Sequence, residues 1–169
     1  MICIFEISSS EAPEFKRLIH IDSEQTFEDF HLIIQRTCNF DHSQLASFFL
    51  ADDAGKNKIE ITSLDSGKPI FAHISMRITK LNEYLSEIGH KVMYVFDYFN
   101  DRYLLIELKE ILMKTNAKEP FVAYEKGNAP SQFLINDYST DVDVMTTDES
   151  YKSFGDLEDY YEIFGEMDA

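Results

Sequence analysis

Residues 15–50 read FKRLIHIDSEQTFEDFHLIIQRTCNFDHSQLASFFL, and this stretch decides the fold. Phe15 to Ile21 mixes apolar and basic side chains in the manner of a strand. Thr26 followed three residues later by Asp29 makes a capping box, and Phe27, Phe30, Ile34 and Cys38 then recur at spacings of three and four. That spacing predicts a helix from about Phe27 to Thr37 with one face packed on a sheet. Asn39, Asp41 and Ser43 end it in a turn, because short polar side chains bond to nearby backbone and compete with helix continuation. Leu45 to Ala51 reads as the next strand. None of the polar residues in the stretch forms a recognised catalytic constellation.

Outward from this centre, Ile2 to Ser8 reads as a strand joined to the first through Ser8 to Glu14, with Pro13 marking the turn. Lys58 to Thr62 pairs with Leu45–Ala51 around Asp52, Asp53 and Gly55. The pattern is weak from Ser63 to Arg77, where Gly67 and Pro69 suggest an exposed connection. Leu81, Tyr84, Leu85 and Ile88 predict a second helix over Lys80–Ile88, stopped by Gly89. The block VMYVFDYFNDRYLLIEL at 92–108 predicts two strands, 92–98 and 103–111, joined by Phe99, Asn100, Asp101 and Arg102 and central in the sheet. Pro120 to Tyr124 gives a last strand, and Lys126 to Pro130 a closing loop. The expected architecture is α+β: a mixed β-sheet of about six to seven strands with two packed helices over residues 1–135. Residues 136–169 form an acidic segment, with a linker from Asn136 to Ser150. Within it Phe154, Leu157, Tyr161 and Phe164 make an apolar stripe, with Ser153 and Asp156 able to cap a short helix. A helix this short is marginal alone, so it either folds back on its own domain or docks on another molecule.

The chain has 169 residues, enough for one domain with a real core. With 14 Phe, 9 Tyr and no Trp, that core should be rich in phenylalanine. The two cysteines, Cys3 and Cys38, fall at apolar positions and should be buried thiols. The start MICIFEISSS has no basic region or long apolar run, and no segment approaches the roughly 20 apolar residues of a membrane span, so a soluble cytoplasmic protein is expected. The formal net charge is −16 and is unevenly placed. Residues 136–169 carry 11 acids and one base, Lys152, a net of −10, whereas residues 1–135 carry 20 acids and 14 bases, a net of −6. Such a chain repels phosphate backbones, which disfavours non-specific nucleic-acid binding.

Five histidines (His20, His31, His42, His73, His90) invite a metal reading, but their spacing matches no ligand pattern. Cys38, Asp41 and His42 cluster at a helix end with His31 on the preceding helix; the alternative is a capped terminus with an exposed histidine. Asp97 stands inside an apolar strand, where desolvation would raise its pKa and suit it to general-acid chemistry. Alternatively it accepts backbone N–H bonds, or pairs with Arg102, to fix the following turn. The chain contains no phosphate-binding glycine loop, GxSxG elbow or CxxC pair.

Several words of the sequence resemble the plasmid pRiA4b ORF-3-like family. A helix of the type TLxDLHxxIQ in that family corresponds to TFEDFHLIIQ here, agreeing at Thr26, Asp29, His31 and Gln35. The turn GWDDSHLHEF corresponds to NFDHSQLASF, with Asp41, Ser43, Leu45 and Phe48 in common. YxYDFGDDWxHxIxLE corresponds to YVFDYFNDRYLLIELKE through Tyr94, Asp97, Asp101 and Glu107, and GxxAxPP to the loop at Gly127. In this chain Phe99 replaces a glycine, Arg102 or Tyr103 stands for the tryptophan, and Gln44 and Ala46 replace the two turn histidines. The resemblance implies a β-grasp-like or α/β roll fold and a family without established activity. Some relatives are described as insertion-sequence passengers or resolvases, which implies an association with mobile genetic elements. A recombinase, however, surrounds its nucleophile with arginines, and the four here are scattered along the chain.

The leading expectation is therefore a non-enzymatic protein-interaction module without a cofactor or metal. Its functional surface is expected at His31, Asp41, His42, Asp97, Asp101 and Arg102, and its docking helix at Phe154, Leu157, Tyr161 and Phe164. Two alternatives come from other classes. One is a ligand-binding protein or enzyme using Asp41, Asp97, Asp101 and His31 in a cleft, and the other a nucleic-acid-binding protein autoinhibited by its acidic tail.

Overall fold

The computed structural model describes residues 1–51, 58–64, 74–113 and 118–134. The chain divides into two units, Met1–Gln132 and Phe133–Ala169. The expected linker, the Phe154–Phe164 helix, His73 and the turn residues Asp52, Asp53, Gly55, Gly67 and Pro69 lie outside the described residues.

In chain order the first unit contains β1 (Ile2–Ser8), β2 (Lys16–Asp22), α1 (Phe27–Cys38), β3 (Ser47–Ala51), β4 (Lys58–Thr62), β5 (Ile74–Ser75), β6 (Lys91–Asp97), β7 (Arg102–Leu112) and β8 (Phe121–Lys126). They form an eight-stranded sheet in the order β5-β4-β3-β6-β7-β1-β2-β8. Neighbours are antiparallel except β4 and β5, which run parallel. The apolar strands β6 and β7 occupy the middle, as the 92–108 block demands.

Helix α1 covers one face of this sheet. Thr26 caps it as the capping box predicts: its Oγ1 accepts the Asp29 N–H at 3.2 Å, and the Asp29 carboxylate accepts the Thr26 N–H at 3.0 Å. Asn39 ends it in the left-handed conformation, φ 57°. Phe30 lies 4.7 Å from the Phe5 ring and stacks on Phe48 at 5.5 Å, while Phe27 meets Phe48 edge-on at 5.2 Å. Phe5, Phe15, Phe27, Phe30, Phe40, Phe48 and Phe96 are all buried, so phenylalanine dominates the core. Each contributes roughly 1.5–3 kcal/mol by leaving water. Cys3 and Cys38 are buried free thiols, and burial pushes the Cys38 thiol up to about 12.

Two expectations are corrected. The described residues hold one α-helix, not two, and eight strands, not six to seven; the fold is mostly β, so the two-helix α+β roll does not stand. Over Lys80–Ile88 the chain makes only a 3-10 turn, Leu81–Glu83. The sheet claims the next residues: Gly89 N–H donates to Leu108 O at 2.7 Å, and Leu108 N–H to His90 O. At the other end Leu81 and Asn82 donate to Gln25 and Ser23 carbonyls. Leu81 and Leu85 are buried by that tethering, while Ile88, the last of the apparent stripe, faces solvent. The extra strand is β5, two residues long and too short for a periodic signal.

Gly127 takes φ 67°, and a Cβ there would collide with the carbonyl of Glu14. Gly127→Ala therefore separates the β8 loop from the β1–β2 connection and costs more than about 1 kcal/mol. In a thermal melt the midpoint should fall by at least about 3 °C. An unchanged midpoint would mean that the loop accommodates the methyl group.

Candidate functional site

His31 and Gln35 are one helical turn apart on α1 and share a face, and both are buried although polar. His31 Nδ1 lies 2.7 Å from the hydroxyl of Tyr94, a fully buried side chain on β6. Burial, and secondarily the nearby His42, bring the His31 pKa down to about 4. Burial also holds the Tyr94 hydroxyl well above its ordinary value, with Cys38 and Tyr98 adding to the effect. The pair is therefore neutral at physiological pH.

Beyond the helix end, Gln35 Oε1 accepts from His42 Nδ1 at 3.2 Å, and Gln35 Nε2 donates to the Asp41 carbonyl. Asp41 Oδ1 accepts the Ser43 N–H and hydroxyl, both at 2.8 Å, and these bonds hold the Asp41 pKa below its usual value. A cavity of about 320 Å³ opens beside α1, with His31, His42, Glu28, Ser63, Ser75 and Arg77 in its wall. Asp41, Asp97 and Asp101 are not part of that wall.

The other three expected residues sit at the β6–β7 turn. Asp101 closes it at φ 50°, a conformation that aspartate tolerates better than most residues. Partial burial works against ionisation of Asp97, but the Asn100 N–H at 3.2 Å, Asn100 Nδ2 at 2.9 Å and Arg102 at 3.5 Å outweigh it, and its pKa is lowered. The turn-fixing role thus fits Asp97, and the raised-pKa general acid does not. Arg102 is buried, lies 4.9 Å above the Phe96 ring, and bonds Glu11 at 3.0 Å and the carbonyls of Gln132 and Ser131. Gln132 in turn accepts the Asp41 N–H at 2.6 Å, linking the two clusters. Glu11 and Gln132 were not legible as partners, because each bonds a residue 91 positions away.

His20 lies against the Phe121 ring and His90 opposite Glu87, away from His31 and His42 in the sheet. No three His, Cys, Asp or Glu side chains gather to hold a metal among the described residues. Nor is any described helix long and apolar enough to cross a membrane.

The face of the sheet away from α1 is set by register. Phe49, Met93 and Leu105 are successive cross-strand partners on β3, β6 and β7, with Val95 and Tyr103 paired beside them. Ser47 is buried under Tyr98, whose hydroxyl lies 2.6 Å from Ser47 Oγ. Toward β1 and β2 a charged ladder takes over: Lys16–Glu6 at 3.0 Å and Lys109–Glu107 at 3.3 Å. At the tip of the β6–β7 turn Phe99 is 100% exposed.

The family model described as plasmid pRiA4b ORF-3-like protein matches residues 5–149, a span that takes in α1, the Asp41 turn and the β6–β7 turn. The chain belongs to that family. No curated protein matches it. Among solved structures it is similar to the crystal structure of the protein of unknown function MM3350 from Methanosarcina mazei Go1, with a TM-score of 0.65 and 19% identity over 90% of this chain and 86% of that one. At that identity the likeness is one of fold. The words shared with the plasmid pRiA4b ORF-3-like family fall, in this chain, on the capping box, the His31–Tyr94 contact, the Asp41 turn and the Asp97–Asp101 turn.

Proposed function

We propose that this domain is a non-enzymatic interaction module that contacts its partner through the β6–β7 turn and the adjoining apolar face of β3, β6 and β7. The observation that carries this reading is Phe99, a wholly exposed aromatic at the tip of a turn held by Asp97 and Arg102. A large aromatic gains nothing for stability in that position, whereas such residues act as anchors when a partner supplies a pocket. The row Phe49–Met93–Leu105, with Tyr98 and Tyr103 beside it, supplies apolar area of the kind that marks interaction sites. Glu60 pairs across from Phe49, Asp97 and Asp101 lie at the adjoining turn, and the chain as a whole carries a net charge of −16. The matching partner is a polypeptide segment with apolar side chains flanked by lysine or arginine, steered by the acidic field.

Nucleic acid fits less well, since two of the four arginines, Arg17 and Arg102, are buried with protein partners. The test places a photo-reactive phenylalanine analogue at position 99, or at Leu32 on the exposed side of α1, in the full-length protein. A salt-sensitive crosslink to a basic polypeptide from position 99 alone, lost in Phe99→Ser capture experiments, is the expected result. Equal crosslinking from both positions, or recovery of nucleic acid in place of protein, would overturn the reading.

A further inference from the structure

We infer that β8 is the contact through which two copies of this chain pair about a two-fold axis, joining their sheets edge to edge and leaving the surface around Phe99 free. β8 ends the sheet beyond β2, and among the described residues only β2 forms backbone bonds with it. An edge strand of this kind offers a row of backbone N–H and C=O groups to another strand. Its side chains also stand in water: Phe121 and Tyr124 are each 47% exposed, and Ala123 and Glu125 are exposed with them.

The register accounts for that surface. Phe121 pairs with His20, Val122 with Ile19 and Tyr124 with Leu18, which leaves Ala123 as the extra residue of a β-bulge. Ile19 is buried in the core, whereas Leu18 and His20 are half-buried on the other face of β2. In a regular strand Phe121 and Tyr124 would point to opposite faces. The bulge turns both to the face away from the core, with the Phe121 ring 4.8 Å from His20. Bulges commonly blunt an edge against pairing. This one also makes the strand complementary to itself, and an isologous contact closes after two copies.

A two-fold axis sets the two β8 strands antiparallel, and each residue meets the one equally far from the midpoint on the second copy. With the midpoint between Val122 and Ala123, Phe121 meets Tyr124 and Glu119 meets Lys126, each pair occurring twice. Aromatic and opposite-charge pairs are the favourable cross-strand neighbours. Lys126 lies 3.3 Å from Glu14 of its own chain, but both side chains are more than half exposed, and such a surface pair holds it only weakly. Over this edge Lys118 and Lys126 balance Glu119 and Glu125, so it escapes the repulsion that a net charge of −16 imposes on other contacts between copies.

The test is analytical ultracentrifugation of the full-length protein at about 0.15 M salt, where the net charge is screened beyond about 8 Å. A reversible monomer–dimer equilibrium between about 5 and 500 μM, without larger species, is the expected result. Lys126→Glu should weaken it about tenfold or more, because the symmetry places each new like-charge pair twice. Adding Glu119→Lys to that variant should restore the dimer, and Tyr124→Ser, a lesion independent of charge, should weaken it. These positions are exposed, so thermal midpoints near the parent's report an intact fold. Phe99→Ser should leave the equilibrium unchanged, which keeps this contact distinct from the proposed partner surface. A monomer throughout the range, a dimer indifferent to Lys126→Glu or lost in Phe99→Ser, or a charge swap that fails to restore pairing would each overturn the assignment.

Discussion

Taking the protein from pH 7 to pH 4 lowers its unfolding free energy by about 3 kcal/mol through His31 alone. His31 titrates at about 4 in the folded chain, because burial and the nearby His42 disfavour the imidazolium, against an ordinary value of 6.5. Between those two values the unfolded chain binds a proton that the folded chain does not, so stability rises with pH across this window. The contribution is fully present above the unfolded value and is lost as pH falls toward about 4, below which both states are protonated. Carboxylates with lowered values, such as Asp41 and Asp97, lose their stabilisation only at lower pH, below their ordinary 3.8. Urea unfolding at several pH values in this range measures the slope. In His31→Gln, which cannot titrate, the same window should be nearly flat. An equally steep slope in that variant would assign the acid sensitivity elsewhere.

The local grammar of α1 was readable because capping and periodicity act over a few residues: Thr26, Asp29, Phe27, Phe30 and Ile34 behave as their spacing implies. Seven of the strands were legible for the same reason. The failure at Lys80–Ile88 shows the limit, since Leu81 and Leu85 share a helical spacing but are buried by bonds to Gln25 and Ser23 and by the register of β6 on β7. Tertiary pairing overrode a local pattern. The candidate site was half legible. Asp97 stood out as a carboxylate inside an apolar strand and His31 as a histidine on the helix before the Asp41–His42 turn, but the sequence holds no sign that Tyr94 meets His31 or that Ser63 and Ser75 face the same cavity. Those meetings depend on strand order, which periodicity does not encode.

Arg102→Ala should cost about 3 kcal/mol, more than loss of a surface ion pair, because Arg102 is buried and its partners cannot rearrange around an alanine. The substitution leaves Glu11 and Asp97 without their cation and the Ser131 and Gln132 carbonyls without their donor. Glu11 is partly exposed and regains some hydration, which keeps the cost at the lower end of the range for broken buried pairs. Arg102→Lys should recover less than half of it, since a point charge cannot serve a carboxylate and two carbonyls at once. The damage also spreads in a defined direction. Freed from Arg102, Gln132 no longer holds the Asp41 N–H, so amide exchange should quicken at Asp41 along with the β6–β7 turn. Phe99→Ser, by contrast, should leave the denaturation midpoint within about 0.5 kcal/mol of the parent, because the side chain touches only solvent. If partner capture depends on the turn, both substitutions abolish it, but only Arg102→Ala does so through stability. Complete rescue by lysine, or a cost below about 1 kcal/mol, would show that the clamp is no stronger than an ordinary surface pair.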